Sequence, residues 1–416
     1  MVMKKKFLQG IKYWGQILFL PIYWISYITP RSKKIWLFGS SFGRRFADNP
    51  KYFYLYLNQY KKNEIRCIWI TREKAIVQLL KENNLEVYKL SSIKGIWYSL
   101  RGYVYIYDNY SKDISFWLSG GAIKINLWHG SGNKKTNYDN KFDRVRHPRN
   151  RWEQFVTALR RLSDEKPYHY TLATSPMMAD IFVSAFNTNL EHIIQEGYPR
   201  NDVLFPNELI NVYSKDEEKN LCLISQYKTN QMKVITYMPT FRKSEELFFK
   251  VMDMEIFNQF LSQRNLIFLT KLHPKSKLRE EFSRSVYSNI KNIDAYVDPY
   301  TFLKYTDVLV TDYSSIYSDF LMLNRPSVLF PYDFEEYSQD TRECYFPYNE
   351  YMPEIKSNTM DELMKNIDLV LEKDSYKEGR IGLRDKIFAK ADGKSSERLF
   401  EKIHDIISSS HKFGGK

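Results

Sequence analysis

The stretch DVLVTDYSSIYSDFLML, residues 307–323, sets a short apolar run against a carboxylate and hydroxyls. Val308 to Val310 give way to Thr311, Asp312, Ser314 and Ser315, and the pattern then turns helical. A strand that ends this way before a helix suits phosphate, because the first N–H groups of a helix lack partners and carry partial positive charge. The same residue types make an ordinary helix N-cap, and this stretch alone does not separate the two. Three other apolar runs end in comparable chemistry. INLWHGSGNKKT ends in His129, ITYMPTFR in Pro239, Thr240 and Arg242, and FLTKLHP in Lys271, His273 and Pro274. As parallel strands, the four runs would bring these residues to the carboxyl edges of their sheets, where ligands bind. His129 is followed by Gly130 and Gly132, and glycine lets a backbone approach a substrate hydroxyl closely. An imidazole there has the right pKa for a general base, although a histidine after a strand is also commonly a capped or core residue.

The elements that must carry these residues alternate. KKIWLFGSSFGRRFADNPKYFYLYL reads as a strand over Ile35 to Phe38, a glycine loop and a helix opening near Asn49 and Pro50. IRCIWIT, LEVYKL, YVYIYDN and AIKINLWHG follow as strands with helical segments between the first three, and YTLATS resumes the series before a helix from Pro176 to Phe186. Beyond a polar stretch at 207–219, KVITYMPTFR, NLIFLTKLHPKS, IKNIDAYVD, DVLVTDYSS and PSVLFPY read as five more strands. Alternation of this kind predicts an α/β protein with two Rossmann-like domains facing a cleft, the GT-B arrangement of nucleotide-dependent transferases. The expected divisions are a 1–30 segment, a domain over 31–206, a linker over 207–219, a domain over 220–395, and a C-terminal helix and tail over 396–416.

Bulk properties narrow the function classes. A chain of 416 residues exceeds one ordinary core. Its net charge of +13 suits an anionic partner, whether nucleic acid, a lipid surface or a phosphorylated small molecule. Zinc fingers, basic repeats and recognised nucleic-acid motifs are absent from the sequence, so no nucleic-acid partner is expected. Cys67, Cys222 and Cys344 lie far apart without metal-ligand spacing, which points to a reduced compartment and no structural metal. No Asp-x-Asp or glutamate cluster offers a magnesium site, so neither metal nor cofactor is expected. The first 34 residues, MVMKKKFLQGIKYWGQILFLPIYWISYITPRSKK, are basic at both ends and aromatic between. The apolar run from Ile17 to Ile28 is too short to span a bilayer, and the segment reads as an interfacial helix with Trp14 and Trp24 at headgroup level. An ordinary amphipathic helix packed on the domain fits the same pattern.

NLWHGSGNKKT, SPMMADIFVSAFN, EGYPRNDVLF, ITYMPTFR, KLHP and VTDYSSIYSDFL occur in order. Together they resemble the CDP-glycerol:poly(glycerophosphate) glycerophosphotransferase family of teichoic acid and capsule assembly. WLFGSSFGRRFADNPKYFY and ADGKSSERLFEKI extend the likeness to both ends. The resemblance implies transfer of a polyol phosphate, glycerol 3-phosphate in the first instance, from a CDP-polyol to a hydroxyl of a lipid-linked acceptor, with release of CMP. It implies His129 as the base, His273 at the donor diphosphate, Thr240, Arg242, Asp312, Ser314 and Ser315 around donor phosphates, and Gly130, Lys134 and Lys135 toward the acceptor. Where the family often has HGTPLKKLG, this chain has HGSGNKKTN, which keeps both lysines and leaves acceptor identity open. CDP-ribitol is the alternative donor, and a nucleotide-sugar glycosyltransferase of the same architecture is the nearest rival. A lipid-linked acceptor would place the enzyme peripherally on the anionic cytoplasmic face of the membrane, held by residues 1–30 and the basic stretch around Arg144 to Arg151.

Overall fold

A computed structural model describes residues 13–165, 169–242, 245–284, 286–334 and 343–409. The first half is a seven-stranded parallel sheet in the order β3-β2-β1-β4-β5-β6-β7. Its strands are β1 Ser32–Phe38, β2 Arg66–Thr71, β3 Val87–Lys89, β4 Gly102–Tyr107, β5 Ile123–Asn126, β6 Tyr170–Ala173 and β7 Ile193–Gln195. The second half is a six-stranded parallel sheet in the order β10-β9-β8-β11-β12-β13. It comprises β8 Lys233–Tyr237, β9 Leu266–Lys271, β10 Ile290–Ile293, β11 Val308–Thr311, β12 Ser327–Leu329 and β13 Ile355–Lys356. Both sheets reverse winding direction once, between β1 and β4 and between β8 and β11. Such a reversal opens a crevice at the carboxyl ends of the two strands.

Runs such as Trp36, Leu37 and Phe38 or Val308 to Val310 are buried on both faces, which is why they are continuously apolar rather than alternating. Two features depart from the sequence reading. The polar stretch at 207–219 is not all connection: a helix begins at Lys215 and runs to Thr229, opened by a capping box in which Ser214 and Glu217 exchange side-chain-to-backbone bonds. The second sheet also gains a sixth strand, β13, whose two residues are too short for any period to register. The last helix, Ser395–Ser409, returns to the first half, where Phe400 packs on Trp36 with ring centres 5.8 Å apart.

Only part of the N-terminal segment falls within the described residues. Residues 1–12 of the predicted interfacial segment, and the predicted tail beyond Ser409, lie outside the described residues. What is described is a 3-10 turn, Gly15–Phe19, and a nine-residue helix, Leu20–Ile28, packed on the first half. Gly120 N–H donates to Ser26 Oγ at 2.8 Å, and Tyr23 stacks on Phe116. Arg31 follows the helix and donates to the carbonyls of Gly120 (2.8 Å) and Leu118 (2.7 Å). Among the described residues no helix is long and apolar enough to cross a membrane.

The two halves are joined through buried charge. Arg200, 2% exposed, donates to Asp48 of its own half and to Asp319 of the other, both at 2.8 Å. Tyr300 donates to the same Asp319 oxygen at 2.8 Å. A second bridge runs from Lys51 to Asp298 (3.3 Å) and Glu217 (3.7 Å), with Tyr52 also donating to Asp298. Removing one partner of a buried ion pair strands the other without solvent or a counter-charge, at about 3–5 kcal/mol. Arg200→Met is expected to lower unfolding free energy by about that amount in urea titration. A loss below about 1 kcal/mol, the range of exposed pairs, would show that water reaches the bridge.

Candidate active site

The reversal point of the second sheet is built by two loops that hold each other. The Asp312 carboxylate, 0% exposed, accepts the Thr240 backbone N–H (2.9 and 3.1 Å), the Tyr313 N–H and one arm of Arg242. The other edge of Arg242 pairs with Asp333 in a fork, at 2.6 and 2.8 Å. Asp312 and Arg242 therefore point inward, away from the cleft. Both are expected from the sequence around donor phosphates; in the structure they pair with each other and fix the PTFR loop against the TDYSS loop. Thr240, Ser314 and Ser315 do face the cleft. Ser315 occupies the N-cap of Ile316–Phe320 without a side-chain capping bond.

On the first sheet, β5 ends in a turn that aims His129. Trp128 sits at φ +52°, a left-handed conformation that a bulky side chain rarely takes. Two asparagines hold it there. Asn49 donates to the carbonyls of Leu127 (3.2 Å) and Trp128 (2.9 Å), while Asn126 accepts the Trp128 N–H at 2.9 Å. His129 Nδ1 lies 2.9 Å from the Asp108 carbonyl at the end of β4. A carbonyl can only accept, so Nδ1 carries a proton, and in the neutral ring the lone pair is on Nε2. The glycines that follow approach the other half: a Cβ on Gly130 would stand 3.3 Å from Ser315 Oγ, and one on Gly132 3.0 Å from Ser315 Cβ. Their smallness thus lets the His129 loop meet the serine loop.

These loops enclose a cleft of about 440 Å³ between the halves. His129, Gly130 and Lys134 line it from the first half, and Thr240, His273, Ser314 and Ser315 from the second. Lys134 donates to Thr240 Oγ1 across it at 3.2 Å. Lys135 is elsewhere: its ammonium pairs with Glu343 at 2.8 Å, and its backbone N–H donates to the Glu343 carbonyl at 2.8 Å. Lys135, expected toward the acceptor, here straps the two halves together. His273 rests against Phe241, its Nδ1 accepting the Lys275 N–H at 3.2 Å. Burial first, and then Lys275 and Lys271, push this imidazole below its ordinary pKa. The lowered pKa favours the neutral ring, and because Nδ1 accepts a backbone N–H, the ring proton of that form sits on Nε2 as a donor.

The family model for CDP-Glycerol:Poly(glycerophosphate) glycerophosphotransferase matches residues 22–405. The chain belongs to this family of transferases. A teichoic acid poly(glycerol phosphate) polymerase of Staphylococcus epidermidis is 28% identical over 387 residues, covering 89% of this chain and 50% of the relative. The chain thus spans about half the length of that protein. It spans 93% of the teichoic acid glycerol-phosphate transferase of Staphylococcus aureus, 26% identical over 383 residues and 89% of this chain. A ribitol-phosphate polymerase of Staphylococcus aureus, TarK, is 28% identical over 284 residues, 67% of this chain and 52% of its own. In fold, the wall teichoic acid polymerase TagF superposes with a TM-score of 0.71 at 23% identity, over 99% of each chain.

Asn49, Asn126 and Arg45 escaped the sequence reading. Asn49 in ADNP reads as a helix opening, and its bonds to residues 127 and 128 are contacts of long sequence separation. The neutral state of His273 has a direct check. Its C–H proton resonances should titrate with a midpoint below the free imidazole value of about 6.5, and Lys275→Met should move the midpoint up. A wild-type midpoint at or above the free value would remove the neutral-donor assignment.

Proposed function

We propose that this glycerophosphotransferase transfers glycerol 3-phosphate from CDP-glycerol to a hydroxyl of a lipid-linked teichoic-acid- or capsule-type acceptor, releasing CMP. The observation that carries the reading is His129, held with its proton on Nδ1 and meeting Ser314, Ser315, Thr240, Lys134 and His273 across one cleft. His129 Nε2 takes the acceptor hydroxyl proton, and the acceptor oxygen forms a bond to the glycerol-bearing phosphorus. The anhydride P–O bond breaks and its electron pair leaves on CMP. Negative charge spreads over the phosphoryl oxygens on the way, and donors placed in advance around them lower the barrier. Lys134, His273 Nε2–H and the two serine hydroxyls take that role, while Arg242 and Asp312 hold the loops in register. No metal enters this scheme.

A CDP-ribitol donor is the second reading, favoured by the likeness to a ribitol-phosphate polymerase. CMP release from CDP-glycerol and CDP-ribitol, with and without a lipid-linked acceptor, separates the two, and a nucleotide-sugar screen tests the glycosyltransferase rival. Acceptor-dependent release should fall about 100- to 10,000-fold in kcat for His129→Ala and be indifferent to EDTA. Turnover of neither CDP-polyol would end this assignment.

The reading also places the enzyme on the cytoplasmic face of an anionic membrane. Supporting it, Trp14 stacks on Phe155 with ring centres 4.6 Å apart, which sets the N-terminal segment beside the helix that follows the basic stretch. Leu18, Trp24, Ile25 and Ile28 are exposed there, as are Trp152 and Phe155. Apolar side chains beside arginines suit a headgroup layer. Wild type should sediment with phosphatidylglycerol vesicles, and Leu18→Glu/Trp24→Glu/Ile28→Glu should stay in solution; equal sedimentation would sink the placement.

A further inference from the structure

One end of the cleft holds two cations that the scheme above does not use. Arg45, from the loop after β1, and Lys271, the last residue of β9, both line it. Arg45 Nη2 donates to the Tyr296 carbonyl and Lys271 Nζ to the Ala295 carbonyl, each at 3.0 Å. Consecutive carbonyls thus bring the two head groups together from opposite halves. The nearest carboxylates belong to other partners: Asp298 is bound by Lys51 and Tyr52, and Asp294 lies 3.5 Å from Arg279 and accepts the Tyr296 N–H. Burial chiefly, and then Arg45, lowers the Lys271 ammonium to about 8, so the pair sits together at a cost.

The loop that delivers Arg45 is itself strained. Ser41 and Phe42 stand at φ +50° and +59°, consecutive left-handed residues that are not glycine. Buried carboxylates keep them there: Asp108 accepts Ser41 N–H at 3.1 Å and Asp113 accepts Phe42 N–H at 2.6 Å. Strain of this kind persists where surrounding structure enforces it, and ligand clamps are a common place. This is also the reversal point of the first sheet, where an α/β fold receives ligands.

We propose that Arg45 and Lys271 form a two-cation clamp that closes on one phosphate from both halves of the molecule. The guanidinium keeps donors beyond the one spent on Tyr296, and the ammonium keeps two beyond the one spent on Ala295. An anion between them converts repulsion into two charge-assisted bonds and ties the halves together while it is bound. The ligand chemistry is a phosphate ester or anhydride, supplied by the donor diphosphate or by a phosphodiester of the acceptor. The clamp rests on the transferase reading for the identity of that phosphate, though not for its existence.

The test uses the full-length protein with Arg45→Gln, Lys271→Gln and the double variant, and Lys271→Arg as the charge-keeping control. Calorimetric titration with inorganic pyrophosphate and with a short poly(glycerol phosphate) is run beside KM for CDP-glycerol and for acceptor. Each Gln variant should weaken the same one of the two titrants, and raise the matching KM, by about 10-fold or more. Lys271→Arg should restore binding, and the double variant should lose less than the product of the singles. Pyrophosphate as the affected titrant assigns the clamp to the donor, and the polymer assigns it to the acceptor. Unchanged binding of both titrants, or single variants that weaken different ones, would overturn the clamp. Wild type that binds a titrant through this pair yet releases no CMP would overturn the transferase reading and leave the clamp standing.

Discussion

The buried Arg200 bridge is the constraint on which the site depends. Neither sheet alone contains a cleft, and the His129 loop becomes part of one only when held against the Ser315 loop. Arg200 does this by taking Asp48 from the first half and Asp319 from the second, and its backbone N–H donates to Asn49 Oδ1 at 3.2 Å. Asn49 in turn holds the Leu127 and Trp128 carbonyls that aim His129. The interface and the His129 turn therefore share one hydrogen-bonded chain. Burying Arg200 and Asp319 is expensive in desolvation, and what such a bridge adds over an apolar contact is directionality, because it is satisfied in one arrangement of the halves.

Charge in the molecule is sorted by burial. The acids nearest the two reversal points, Asp108, Asp113 and Asp312, are buried and spent on backbone N–H groups, hydroxyls and Arg242. The groups that remain toward the cleft are Lys134, Lys271, Arg45, His273 and the serine hydroxyls, all able to donate to an anion. A carboxylate facing the same space would repel a diphosphate, so turning the acids inward leaves the cleft suited to an anion. The same sorting leaves the Arg242 guanidinium paired with Asp333 and Asp312.

The sequence by itself determined the two parallel α/β halves and the rank of residues at their strand ends, because apolar runs and caps are local signals. The ordered blocks from WHG to TDYSS likewise determined the family. His129, His273, Thr240, Ser314 and Ser315 follow from closing a strand, Gly130 and Lys134 from the family blocks, and the structure brings all seven to one cleft. Tertiary structure decided which way the remaining polar side chains turn. Asp312 and Arg242 sit at strand ends yet face each other, and Lys135 differs from Lys134 only in the side of the loop on which it emerges. It also decided the parts played by Asn49, Arg45 and Arg200, whose partners lie far along the chain or in the other half. A side chain's direction and its distant partner are settled by packing, and packing leaves no period or motif for the eye to find.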